Sequence, residues 1–479
     1  MAGVSRPREL LRNAVGFNEL LGQAIAMIAP LGAVAATLTG AAASALGSLP
    51  LAYLIGIVGV LAWINVPYQF SKKIASAGGF YDFVSQGVGR RVGLFTGYLY
   101  LFSYFNVVTN AVLFVAGVFI PSMLEQFFGI KLPWWTWIPL FLAFLALIVV
   151  PAYLGIRPSL RYSLASSLTE IALLIIFSAI LLAKFSSRLS LLPFTPIPAH
   201  GWGPVFVGMI LAIFSMSGSS AAVYIAEETR EPLKNVKRAV LISFLVTGVV
   251  FVLTSYAMVI AWGISKMSSF APSGVPGLIL ADKYIGAWFT ALLLAFMINS
   301  LYAGSLAPLN SAARLLYALA RDGAAHDRLA DVHPKYRTPH VSILFLAVLS
   351  AVVILIAGLA LGPFNGFLYL IDASAVALFL GHMLGDVALP FFYRKQGEFN
   401  AILHGLAPVV SFIILLFGFY YSFVPPTFPI NYAIITTAIF AAIVAALVAA
   451  GKISARPGLA AQPQPPSVAV PPITRSGSE

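Results

Sequence analysis

Long apolar stretches separated by short polar loops dominate the chain. A helix that crosses a bilayer needs ~20 predominantly apolar residues. Twelve windows meet that requirement: 17–42, 47–70, 92–120, 133–152, 164–184, 203–226, 239–263, 285–312, 341–361, 365–392, 401–424 and 429–450. The pattern predicts an all-α integral membrane protein with twelve transmembrane helices. Two windows are interrupted near their middles. In the sixth, an apolar run through Phe214 meets Ser215, Ser217, Gly218, Ser219 and Ser220, then resumes and stops at the charged block 227–238. In the first, the interruption is Ala29-Pro30-Leu31-Gly32. Pro30 cannot donate to a helical ladder and clashes with the turn before it; Gly32 adds backbone freedom.

Taken alone, the first break reads as a simple proline kink. The matching break five windows later changes that reading. Five-helix repeats of opposite topology place two broken helices face to face at the bilayer midplane. The expectation is an inverted repeat of spans 1–5 and 6–10 with helices 1 and 6 broken, plus two peripheral helices. Broken helices expose N–H groups on one half and C=O groups on the other, a site for a small zwitterion. The predicted organisation is a cytoplasmic arm at 1–13, a transport core at 14–392 with repeats 14–184 and 203–392, accessory helices at 401–450, and a disordered tail at 452–479, rich in Pro, Ala and Ser.

Composition agrees with one membrane bundle. Of 479 residues, 60% are hydrophobic and 9% charged, against about 25% charged in soluble domains. The first window follows a polar, Arg-rich start but is too long for a signal peptide, so no secretory signal is expected. With 0 cysteines and 6 histidines lacking ligand spacing, no metal or cofactor is expected. A net charge of +12 would suggest nucleic acid in a soluble protein, but here the basic residues fall in loops. Only Lys131, Lys184, Arg188, Lys266 and Lys283 lie on one side; the rest of the 28 lie on the side with both termini. The positive-inside rule then predicts a multi-pass protein of the cell membrane with both termini in the cytoplasm, the lipid bilayer rather than nucleic acid being its partner.

Few side chains with chemistry lie at depth. Glu170 sits within span 5 and Asp372 within span 10. A carboxylate inside a span costs about 2.5–3.5 kcal/mol on insertion scales, so it needs a partner or a task. Glu170 is either bonded to a neighbouring helix or a coupling-ion group; exchanging a proton suits H+, staying ionised suits Na+. Asp372 either faces the same cavity or packs against a neighbouring Tyr or Ser. Glu227 and Glu228 are expected to pair with loop arginines at an inner gate, and His382 and Asp386 to be surface groups. Residues 80–88 form a candidate amphipathic helix, and Tyr98, Tyr100, Tyr104 and Asn106 follow in span 3.

Three motifs carry a resemblance. AGGFYDFVSQGVGRRVGLFTGYLY, FSMSGSSAAVYIAEETREPLKNVKRA and ARLLYALARDGAAHDRLADVHPKYRTPHVS resemble the loop before helix 3, helix 6, and helix 8 with its exit loop in amino acid–polyamine–organocation permeases. Lys237 stands where the family often has proline. Some proton-coupled members carry a lysine at the place of Glu170. The resemblance implies a secondary active amino acid permease working by alternating access. Its cargo carboxylate would meet backbone N–H groups within the stretch Ala29-Pro30-Leu31-Gly32, and its ammonium carbonyls at both breaks. Phe214, Ser215, Ser217 and Gly218 would line the site, Phe214 as lid or core; Glu170 and Asp372 would couple H+ or Na+. A polyamine carrier, an exchanger or a channel stays open. An enzyme lacks a nucleophile–base pair, and without a Walker motif the energy comes from a gradient. The resembled family's last two helices sometimes support dimers, which leaves a homodimer open.

Overall fold

The computed structural model describes residues 9–423 and 428–455. Residues 1–8, 424–427 and 456–479 lie outside it, and with them most of the predicted basic arm and of the predicted tail. The described residues are overwhelmingly helical and contain no strand; Val15 and Thr229 form an isolated parallel bridge.

Among the described residues, 11 helical stretches are long and apolar enough to cross a membrane. Later stretches match the predicted windows one to one. The first, Phe17–Phe70, is 54 residues long and contains both of the first two windows. At 1.5 Å per residue it would be about 80 Å long, far beyond a hydrocarbon core of ~30 Å. It is interrupted at Leu46, a non-glycine residue at φ 46°.

In chain order, the first window holds α1 (Phe17–Ile28), α2 (Pro30–Ala33), a π-helical stretch (Val34–Leu38) and α3 (Thr39–Ala45). Next come α4 (Leu49–Phe70), the short α5 (Phe80–Val88), and α6 (Arg90–Phe114), which runs through a π-helical stretch (Val115–Phe119) into α7 (Ile120–Phe128). Then follow α8 (Trp137–Leu154), α9 (Ile156–Lys184) and α10 (Trp202–Met216), which continues as a 3₁₀ helix, Ser217–Glu228. The remainder comprises α11 (Pro232–Trp262), α12 (Pro276–Tyr284), α13 (Ala287–Arg321), α14 (His340–Leu361), α15 (Pro363–Lys395), α16 (Ala407–Phe423) and α17 (Ile430–Ala449).

The arrangement places α1 in the middle, against α9, α11, α13 and the 3₁₀ stretch. The last two crossing segments are peripheral: only 28% and 22% of their apolar windows are buried, against 67% for the first. Their outer faces present Leu416, Phe417, Ile435, Ile439 and Ile443, an apolar belt suited to lipid. Helical winding suits such a segment because hydrocarbon offers no partner to a free peptide group. The short α5 is amphipathic as predicted, yet it is tucked in: Phe80, Tyr81, Asp82, Phe83 and Val84 are all buried.

Close approach of α1 to α9 depends on Gly22, where an added Cβ would lie 2.7 Å from the Leu164 backbone. Gly22→Val is expected to cost about 1–3 kcal/mol by overpacking, read as a lower Tm in detergent. An unchanged Tm would show that α1 and α9 separate without cost.

Candidate functional site

The first helix breaks where the sequence places its proline. Ala29 takes the left-handed conformation, φ 51° and ψ 70°, between α1 and α2. Pro30 has no N–H. The Leu31 and Gly32 N–H groups, which a continuous helix would give to the Met27 and Ile28 carbonyls, point elsewhere. Leu31 N–H donates to Glu170 Oε2 at 3.3 Å, and Gly32 N–H donates to Ser300 Oγ at 3.0 Å. Ala33 N–H, next in line, bonds the Ala29 carbonyl. The break therefore leaves two carbonyls without their helical donors and two N–H groups taken by side chains from other helices.

Glu170 comes from the middle of α9 and is 1% exposed. Besides Leu31 it accepts the Ser300 hydroxyl at 2.6 Å and the Ser166 hydroxyl at 2.8 Å. Ser166 in turn accepts Asn299 Nδ2 at 2.6 Å, and Tyr162 donates to Asn299 Oδ1. Three donors on one carboxylate stabilise a buried acid that otherwise costs heavily. Sequence reasoning singled out Glu170 but missed Ser166, Asn299 and Ser300. An adjacent Asn-Ser pair in an apolar span was the available signal.

The sixth window behaves differently from the expected gap. Its path stays helical but tightens from α to 3₁₀ winding at Ser217, and runs so through 12 residues. Runs of 3₁₀ beyond three or four residues are uncommon and often mark a hinge. Ser217 N–H turns to the Phe214 carbonyl, three residues back. The serines support this winding from their own side: Ser215 Oγ donates to Ala212 at 2.7 Å, Ser217 Oγ to Phe214 at 2.8 Å, and Ser220 Oγ to Ser217 at 3.2 Å. Gly218 meets the broken helix directly, since an added Cβ there would lie 2.8 Å from the Met27 carbonyl. The two interruptions are thus in contact. Met27, Ala29, Phe214 and Gly218 are all half-buried, while Leu31 and Ser215 are buried. Phe214 sets its ring edge-on to Phe379 of α15 at 6.2 Å.

Asp372 lies on α15, half-buried, with neither a hydrogen bond nor an ion pair among the described contacts. The nearby hydroxyls are used elsewhere, Tyr369 on Thr436 and Ser374 on Ser103. No described contact joins Asp372 to Glu170.

Two expectations are corrected on the same helix. His382 and Asp386 are buried, at 0% and 2% exposure, rather than at the surface. The His382 ring stacks on Trp63 at 4.1 Å and joins Tyr100 Oη to the Trp63 carbonyl, each at 3.1 Å. Asp386 accepts the Ser411 hydroxyl at 3.0 Å. The helix carries polar residues inward here because α4, α6 and α16 cover it. Tyr100, Tyr104 and Tyr224 complete a fully buried aromatic layer.

Below that layer the ends of five segments are fastened together. Glu227 and Glu228 pair with arginines of a helix, not of loops, which corrects the expectation. Glu228 and Arg314 form a fully buried pair, with Arg314 Nη1 also on the Asn310 carbonyl at 3.1 Å. Arg321 grips Glu227 with two nitrogens, at 2.9 and 3.0 Å, and the Ala77 N–H donates to the same carboxylate at 3.0 Å. Arg314 and Arg321 lie on one face of α13, two turns apart. Tyr81 Oη donates to Asp322 at 2.9 Å. The chain before α1 is sewn to the end of the sixth window: Ala14 and Val15 N–H donate to the Glu228 carbonyl, and Arg230 N–H to that of Val15. Ion pairs and backbone hydrogen bonds thus fasten this end of the bundle together.

Asp82 of α5 stands beside these ion pairs, outside the crossing segments. Burial pushes its carboxyl from 3.8 up to about 7; Ser76 pulls it down, Asp322 pushes up, Arg321 pulls down and Glu227 pushes up. Oδ2 accepts the Ser76 hydroxyl, while Oδ1 has no described partner.

A bundle of apolar spans, broken where a buried acid meets a helix end and fastened at one end by ion pairs, defines a membrane transporter rather than an enzyme. The chain belongs to the amino acid permease family, whose pattern matches residues 19–456. The branched-chain amino acid permease BcaP of Bacillus subtilis (strain 168) is 25% identical over 431 residues, 87% of this chain and 89% of that protein. The low-affinity putrescine importer PlaP of Escherichia coli (strain K12) is 22% identical over 317 residues, 64% of this chain and 67% of its own length. The fold is shared with a Na+-coupled sialic acid symporter solved in a substrate-bound outward-open state, at TM-score 0.55 and 12% identity over 83% of this chain and 88% of that one.

Breaking the Glu228–Arg314 pair from one side is expected to cost about 3–5 kcal/mol, whereas replacing both with apolar residues is close to neutral. Arg314→Met should therefore lower Tm far more than the double variant Arg314→Met/Glu228→Leu. Equal losses would show that packing, not an uncompensated charge, sets the cost. For Asp82 the folded state binds the proton more tightly than the unfolded chain. Its contribution to α5 packing is full below 3.8 and lost as pH rises through about 7. The Tm advantage of Asp82→Asn over the parent should grow across that window; a constant difference would exclude proton binding at Asp82.

Proposed function

We propose that the protein moves amino acids across the cell membrane by alternating access, coupled to H+. The observation that carries this reading is the break at Ala29. It lies against Gly218 and offers the freed Met27 and Ile28 carbonyls to an ammonium, with the acid Glu170 one hydrogen bond away. The reading has twelve crossings, inverted repeats at spans 1–5 and 6–10, and both termini in the cytoplasm. The shape of Phe17–Phe70 and the bias of basic residues support that topology. The ion-paired cytoplasmic end is the inner gate, and α13 carries both arginines that close it. Ala29, Leu31, Gly32, Phe214, Ser215, Ser217 and Gly218 line or support the cargo site.

Glu170 is the coupling residue in this reading. In this reading the coupling ion is H+, since no Lys, Arg or His pairs with Glu170 among the described residues; the Ser166 and Ser300 hydroxyl oxygens beside it are also Na+ ligands by type, so the imposed gradients decide between the two ions. Asp372 is a second acid for coupling, on α15. The relative named as a branched-chain amino acid permease supports an amino acid cargo. A polyamine cargo is the second reading, favoured by the putrescine importer among the relatives and by an Asp372 carboxylate with no described partner.

The test is uptake by the protein in liposomes, with a labelled amino acid panel and spermidine, under imposed pH or Na+ gradients. Accumulation of one or more amino acids driven by an inward H+ gradient is expected. Accumulation of spermidine alone overturns the amino acid cargo, and equilibration without accumulation points to a channel.

A further inference from the structure

Pro30 to Ala45 forms one uninterrupted run of helical turns, α then π then α. Its free N–H groups are the natural seat for a cargo carboxylate. In the structure that seat is already taken by a carboxyl group, that of Glu170, delivered by another helix. Oε2 takes the Leu31 N–H at 3.3 Å and the Ser300 hydroxyl at 2.6 Å, and Ser300 takes the Gly32 N–H at 3.0 Å. Both donors that the start of this run has to offer are thus directed to Glu170, one directly and one through Ser300. The Met27 and Ile28 carbonyls beside them are left without helical donors, which marks the same break as the place of a ligand's ammonium.

We propose that Glu170 is a resident competitor for the cargo's carboxylate. Ionised, it keeps the Leu31 and Ser300–Gly32 donors for itself; carrying a proton, it yields them. Two carboxylates at one seat repel, so the second is admitted when the first is neutral. A protonated Glu170 also gains an O–H with which to bond the incoming carboxylate. Proton and cargo therefore bind together and leave together, one for one, the proton coming from water on the loading side and returning to water on the other. Linkage makes the effect reciprocal. This inference rests on the amino acid reading above and specifies how its coupling works.

The surroundings leave Glu170 free to act so. From its own helix it faces Ser166, and from α13 Ser300 and Asn299; Tyr162 and Tyr302 are the titratable side chains nearby. The α1 acid Glu19 is paired with Arg161. No Lys, Arg or His makes a hydrogen bond or ion pair with Glu170 among the described residues.

The experiment measures binding to the full chain in nanodiscs from about pH 5 to about pH 8. The probes are each amino acid that accumulates in the liposome panel and the amine left when its carboxyl group is removed. For the amino acid, affinity should fall toward tenfold per pH unit as Glu170 ionises. In Glu170→Gln that slope should vanish, and the amine should not show it in the parent. Ser300→Ala, which frees the Gly32 N–H and loosens Glu170, should raise amino acid affinity several-fold at the alkaline end. A slope retained in a folded Glu170→Gln protein, an equal slope for the amine, or weaker binding in Ser300→Ala overturns the proposal. A liposome panel without any amino acid uptake overturns the parent reading itself and takes this inference with it.

Discussion

Hydrocarbon gives a peptide group no hydrogen-bond partner, so every interruption of a buried helix must be answered from within the protein. At Ala29 the answer comes from two other helices. Glu170 of α9 and Ser300 of α13 take the N–H groups that the break releases. That single arrangement ties the first span to the helices around it and seats a carboxylate at the heart of the bundle. It also explains why a costly acid is tolerated there: it caps a helix that would otherwise be uncapped.

The same helix that supplies Ser300 supplies Arg314 and Arg321 toward its C-terminal end. α13 thus meets the break at one level and the ion pairs at another, with Pro308 inside the helix between the two. The long 3₁₀ stretch is a second connection of this kind. It joins Gly218, which touches the broken helix, to Glu228, which pairs with Arg314. Tight 3₁₀ winding has poorer hydrogen-bond geometry than α, and a run of this length is uncommon.

Much of this was legible in the chain. The number and position of the apolar windows follow from the length a bilayer demands, and the break at Ala29 from a proline that cannot donate. The buried acid at 170 was legible because charge is rare in a span. The partners were not. Nothing local in Asn299-Ser300 says which helix they meet, and the two arginines of α13 read as ordinary basic residues near a membrane surface. His382 and Asp386 read as surface groups because position along a helix was used in place of the packing around it.

The sequence by itself determined which segments are long and apolar enough to cross, where the first one breaks, and that an acid lies within such a segment, because those depend on hydrophobicity and backbone covalent geometry. Only the tertiary structure decided that the released N–H groups belong to Glu170 and Ser300, that the sixth window tightens rather than opens, and that the acids at its end pair with α13. Those outcomes depend on which helices pack side by side, and contacts between residues 86 to 268 positions apart leave no periodic trace in the chain.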